Sequence, residues 1–134
     1  MTAPVVVNPA RLGQPVGFSH GVMTPAGVRL LFVAGQTAAN ATGAVEHSEF
    51  PHQFDRALAN TLAVVREAGG EPTAVVRMTL YVTDMDAYRS ARVSLSEIWR
   101  RHMGSHYPAM TVVQVSGLVE ELAAVEIEAT VALP

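Results

Sequence analysis

At 134 residues the chain has the length of one domain with a core of its own, and without cysteine it has no disulfide framework, thiolate nucleophile or thiolate metal site. The formal charge of −3 gives no basic footprint for nucleic acid phosphates, and all nine basic side chains are arginines, which excludes lysine Schiff-base chemistry. With 49% hydrophobic residues against 16% charged, polar surface is scarce, so a homo-oligomer is expected.

The longest apolar runs, such as Val28 to Ala34, are far too short to cross a bilayer, so no membrane partner is expected. No positively charged segment followed by an apolar run opens the sequence, and the expected location is the cytoplasm. Val5 to Val7 reads as a minimal strand closed by Asn8-Pro9, and Val16 to Met23 alternates weakly before the turn at Thr24-Pro25-Ala26-Gly27. Val28 to Ala34 is apolar on both faces, which predicts a central strand in a sheet covered on both sides. It ends at Gly35-Gln36, where glycine permits a close backbone approach.

A first helix is predicted after His47-Ser48 with Pro51 in its first turn; Phe54, Leu58, Leu62 and Val65 recur at helical spacing, and Gly69-Gly70 stops it. Val75 to Val82 is a strand with Val76, Met78, Leu80 and Val82 on one face and Arg77, Thr79 and Tyr81 on the other. Asp84 caps a second helix whose apolar side holds Tyr88, Leu95, Ile98 or Trp99 and Met103, and which ends at Gly104. Met110 to Val115 and Ala124 to Val131 complete the chain as β-branched strands. The order β-β-β-α-β-α-β-β predicts a single two-layer α+β domain over residues 1–134, a mixed sheet with two helices on one face. Glu126 and Glu128 then project from the other face, with Arg77, Tyr81 and Gln114.

Several segments, in order and correctly spaced, carry a family resemblance. Gly17-Phe18-Ser19-His20-Gly21-Val22 is similar to a Gly-Pro-Tyr-Ser-Gln-Ala-Val segment, and Leu31-Phe32-Val33-Ala34-Gly35-Gln36 to an Ile-x-x-Ser-Gly-Gln strand end. Gln53, Ala57-Leu58, Asn60 and Ala68-Gly69 of the first helix fit, as do Tyr81-Val82-Thr83-Asp84, Tyr107-Pro108-Ala109 and Val125-Glu126-Ile127-Glu128-Ala129. Together they resemble the Rid (YjgF/YER057c/UK114) family. The resemblance implies a chorismate-mutase-like fold, a homotrimer with sites between subunits, and hydrolysis of reactive enamines or imines such as 2-aminoacrylate.

The family's carboxylate-binding arginine follows Pro-Ala, and here that place holds Met110, a thioether that cannot pair with a carboxylate. Phe18 stands where the family has tyrosine, Ala34 where it has serine, and Val112 where cysteine is frequent. The resemblance therefore implies a small-molecule pocket formed by Phe18, His20, Ala34, Gly35, Met110 and Val112 that is more apolar than usual. Arg92 falls where the family often has asparagine and is the candidate to replace the missing cation. Glu126 matches the glutamate that directs the attacking water, a role suited to a carboxylate at an apolar interface. No metal and no cofactor is expected, since His102 and His106 are separated by Gly104 and cannot share a regular helical face. The alternative is a metabolite-binding or partner-stabilising protein of the same fold that has lost the chemistry with the arginine.

Overall fold

The computed structural model describes residues 3–134. Among these, the strands are β1 (Val5–Val7), β2 (Gly21–Met23), β3 (Arg29–Gln36), β4 (Val75–Val82), β5 (Ala109–Gln114) and β6 (Val125–Leu133). The helices are α1 (Phe50–Glu67), α2 (Met85–Ser90) and α3 (Arg92–Met103). The main sheet has the order β3-β6-β4-β5, antiparallel except for the parallel pair β4 and β5. The α+β class is as expected, with two changes. The first two strands pair with each other in a separate ribbon, and the second helix is broken at Ala91.

Side-chain alternation decides which sheet face the helices cover. Met78, Leu80 and Val82 of β4 and Val125, Ile127, Ala129 and Val131 of β6 are buried in one core with Phe54, Leu58, Leu62 and Val65 of α1. Pro51 sits in the first turn of α1, where a missing N–H costs nothing, and Gly69, at φ 87°, ends the helix in a conformation that side chains resist. Asp84 caps α2 by accepting from the backbone N–H groups of Asp86 at 3.0 Å and Ala87 at 3.2 Å.

The expectation of a central place for the Val28 to Ala34 strand is not met. β3 lies at a sheet edge, paired with β6 alone, and its Phe32 is 72% exposed and Leu30 52%. An apolar run reports that both faces prefer to leave water, but not which molecule covers them. Gln114 is also off the expected face: it pairs in register with Val82, and its Oε1 accepts from Met85 N at 2.8 Å, tying β5 to the start of α2.

Two buried or half-buried polar side chains of α1 fix the loops around the sheet. Gln53, 2% exposed, donates to Leu122 O at 2.9 Å and accepts from Ala124 N at 2.8 Å, which sets the entry into β6. Asn60 donates to Thr37 O and Ala39 O, both at 2.9 Å, which holds the exit from β3. On the outer surface, His102 Nε2 lies 2.6 Å from Asp55 Oδ1 and Arg101 Nη2 3.6 Å from Asp55 Oδ2, joining α3 to α1.

Burial raises the pKa of Asp55, but the hydrogen bond from His102 and the charges of Arg101 and His102 outweigh it, and the net direction is down from the usual 3.8. A carboxyl whose folded pKa is depressed contributes stability that is present above its unfolded value and is lost as the pH falls through the folded one. Asp55→Asn is therefore expected to lower the urea midpoint at pH 7, and the gap from wild type to narrow below about pH 4. A gap that widens in acid would contradict this assignment.

Candidate functional site

A pocket of about 320 Å³ lies on the helix-covered side, between α2, α3 and the edge strand β5. Residues 16–18 wall its mouth. This arm is held because Ser19 N donates to Pro108 O at 3.0 Å, Ser19 Oγ donates to Tyr107 O at 2.6 Å, and Ser19 bridges Ala109 in parallel. Met110 and Val112 enter the pocket from β5, since they pair with the buried Met78 and Leu80 and share their face. Beside them Trp99 and Tyr107 stack 5.7 Å apart at an interplanar angle of 6°, and Trp99 Nε1 donates to His106 O at 3.0 Å. Leu95 and Phe54 complete the apolar part.

The polar part comes from the helices. Tyr88 of α2 and Arg92 and Ser96 of α3 line one side. Burial pushes the Tyr88 hydroxyl above its usual pKa, and the positive charge of Arg92 pulls it back in part. Four of the residues expected from sequence, Phe18, Arg92, Met110 and Val112, are thus gathered in one pocket. His20 packs edge-on against Phe18 at 5.0 Å, its Nε2 buried without a hydrogen-bond partner among the described residues, but it does not line the pocket.

Ala34, Gly35 and Glu126 are elsewhere. Glu126 pairs in register with Tyr81, on the sheet face that no helix covers. Between Val33 and Gln36, β3 advances three residues while β6 moves only from Ala129 to Ile127, so Ala34 and Gly35 sit in a bulge. A Cβ added at Gly35 would collide with the Glu126 carboxylate, so glycine there leaves the carboxylate its place against the backbone. Because the obstructing atoms are the end of a flexible side chain, Gly35→Ala is expected to fold, with a stability loss within about 1 kcal/mol, while displacing that carboxylate. Comparison of its melting temperature and crystal structure with wild type checks this.

Nearby on the same face, Tyr81 donates to Glu128 Oε2 at 3.0 Å, and Arg77 Nη2 donates to Thr111 Oγ1 at 3.0 Å. The bond to Glu128 raises the Tyr81 pKa, with smaller contributions from desolvation and carboxylate charge. Glu128 is thus engaged with Tyr81, whereas Glu126 faces the bulge. Sequence reading missed Tyr88, Ser96, Trp99 and Tyr107 as pocket residues. The spacing of Arg92, Ser96 and Trp99 along one helical face with Tyr88 one turn earlier was the available signal, but it reads equally as core.

A mixed α+β domain with one main sheet and its helices on one face matches the fold of solved Rid-family proteins. The sequence model of the Endoribonuclease L-PSP family matches residues 10–133, and the chain belongs to that family, the same Rid group that its segments resemble. A RutC family protein of Pyrococcus abyssi is 30% identical over 126 residues, which span 92% of this chain and 93% of that one. The crystal structure of YyfB from Yersinia pestis, a conserved Rid-family protein described as of unknown function, is 33% identical with a TM-score of 0.87, covering 98% of this chain and 100% of that one. The YjgF gene product of E. coli is 25% identical with a TM-score of 0.69, over 93% of this chain and 92% of that one.

Proposed function

We propose that this protein is an imine or enamine hydrolase whose site is completed by assembly. The observation that supports this most is the division of the expected site residues. Phe18, Arg92, Met110 and Val112 line a pocket on the covered side of the sheet, while Glu126 and Gly35 lie on the open side. Within one chain the carboxylate and the pocket are on opposite faces, so a working site needs the carboxylate of another copy. The exposed Phe32 and Leu30 of β3 and Val113 of β5 give the open face apolar surface that such an assembly would bury. A homotrimer, located in the cytoplasm and acting on a small molecule, is the form we propose.

In the reaction, Glu126 takes a proton from water as its oxygen adds to the imine carbon and passes that proton to the nitrogen, giving a carbinolamine. The carboxylate then relays the hydroxyl proton to the amine, which leaves as ammonia while the carbonyl forms, so one water is consumed and Glu126 ends unprotonated. The electrophile is already reactive, so a positioned carboxylate beside the pocket is sufficient machinery. A ribonuclease reading has little support in the composition: the net charge is −3, with twelve acidic residues against nine arginines.

Met110 in the arginine's place favours a second reading, a metabolite-binding protein of the same fold without turnover. The two are separated by generating 2-imino acids in place with an amino-acid oxidase and following their capture by semicarbazide. Hydrolysis accelerated by the protein, together with a trimeric mass in sedimentation equilibrium, is the expected result. Stabilisation by the corresponding keto acids with no acceleration for any imine would establish the binding reading instead.

A further inference from the structure

The pocket has one charged lining residue among the described residues, Arg92, and its position is informative. Arg92 opens α3 directly after the break at Ala91, and Arg92, Leu95, Ser96 and Trp99 recur along one helical face toward the pocket. A cation in the first turn opposes the helix dipole, so helix formation does not account for it. Nor does ion pairing: the salt bridges among the described residues join Arg89 to Asp86 and Arg101 and His102 to Asp55, and Arg92 takes part in none.

The rest of the lining sets the shape of the occupant. The pocket, about 320 Å³, leaves room beyond the smallest imino acids for a bulky side chain. The lining beside Arg92 includes Phe18, Leu95, Trp99, Tyr107, Met110 and Val112, which offer a ligand body no second charge and two stacked aromatic rings. Such walls gain from displacing water with apolar or aromatic surface. Ser96, one turn after Arg92, adds a hydroxyl donor beside the guanidinium.

We propose that the substrate is a 2-imino acid carrying a large apolar or aromatic side chain, whose carboxylate is held by Arg92 from α3 while its side chain fills the space between Met110 and the Trp99–Tyr107 pair. Arg92 thereby supplies, from the helix layer, the anion contact that β5 lacks. This assignment rests on the hydrolase reading above, but its binding part is measurable without turnover.

Calorimetric titration of the intact assembly with phenylpyruvate, pyruvate and phenylacetone, beside the oxidase-coupled assay on imines of phenylalanine and alanine, tests it. Phenylpyruvate is expected to bind at least tenfold more tightly than either partner compound, since the one lacks the ring and the other the carboxylate. Arg92→Ala is expected to weaken phenylpyruvate by tenfold or more while leaving phenylacetone unchanged, with partial recovery in Arg92→Lys. The imine of phenylalanine is expected to be hydrolysed with at least tenfold higher kcat/KM than that of alanine. Pyruvate binding as tightly as phenylpyruvate, or Arg92→Ala leaving phenylpyruvate unaffected, would overturn the proposal. Arg92-dependent binding of phenylpyruvate with no imine hydrolysed would overturn the hydrolase reading, and with it the word substrate, while the ligand chemistry stands.

Discussion

Glu126→Gln is expected to reduce imine hydrolysis by about 10²–10⁴-fold, the usual contribution of a positioned general base, with little change in stability. The substitution keeps the size of the side chain and its place on β6 beside the bulge at Gly35, so the strand has no reason to shift. What is lost is the ability to accept a proton from water. Glu128→Gln serves as the matched control: it removes a carboxylate from the same face, but one already accepting from Tyr81 at 3.0 Å. It is expected to change the rate by far less. Mixing Glu126→Gln chains with chains that carry a pocket-blocking Met110→Trp substitution extends the test, because a shared site regains activity only when one chain supplies the pocket and another the carboxylate. Recovery on mixing, under conditions where subunits exchange, would support the shared site; equal loss of rate in both glutamine variants would refute the distinct role of Glu126.

Trp99→Ala is expected to cost about 3–5 kcal/mol of stability, in the range for removing a large aromatic side chain from a core. Trp99 is 5% exposed, stacks on Tyr107 and donates to His106 O, so two links between α3 and the segment leading into β5 depend on it. Trp99→Phe keeps a ring for stacking and loses the indole N–H, leaving His106 O without that donor, and is expected to cost about 1–2 kcal/mol. Urea denaturation of the three proteins at constant protein concentration measures both differences, constant concentration being needed because assembly shifts apparent stability. A loss under about 1 kcal/mol for Trp99→Ala would mean that the segment before β5 is held by other contacts.

These expectations differ in how much of their basis was legible before the structure. The elements themselves were: the helical stripe from Phe54 to Val65, the stop at Gly69, the cap at Asp84 and the alternation in β4 are local patterns, and local backbone preference and side-chain periodicity produced them as expected. The expected single sheet was altered by the early strands, where three residues each suffice for a separate ribbon, and by the break at Ala91 within the second helix. The break at Ala91 carries no proline or glycine signal in the sequence.

The candidate site divides along the same line. The resemblance to the Rid family singled out Glu126, Met110 and Arg92 as candidates, and the chemistry of a carboxylate, a thioether and a guanidinium then gave each an expected part. Which of them meet was decided by strand register and sheet order. Register placed Met110 beside Met78 on the covered face and Glu126 beside Tyr81 on the open one, and the bulge at Ala34-Gly35 brought the β3 backbone against the carboxylate. A strand shows only that its neighbours in sequence alternate faces; which face is buried, and which distant residue lies opposite, follows from long-range pairing that no local pattern encodes. The composition of the site was therefore set by the sequence, and its separation into a pocket and a remote carboxylate by the tertiary fold.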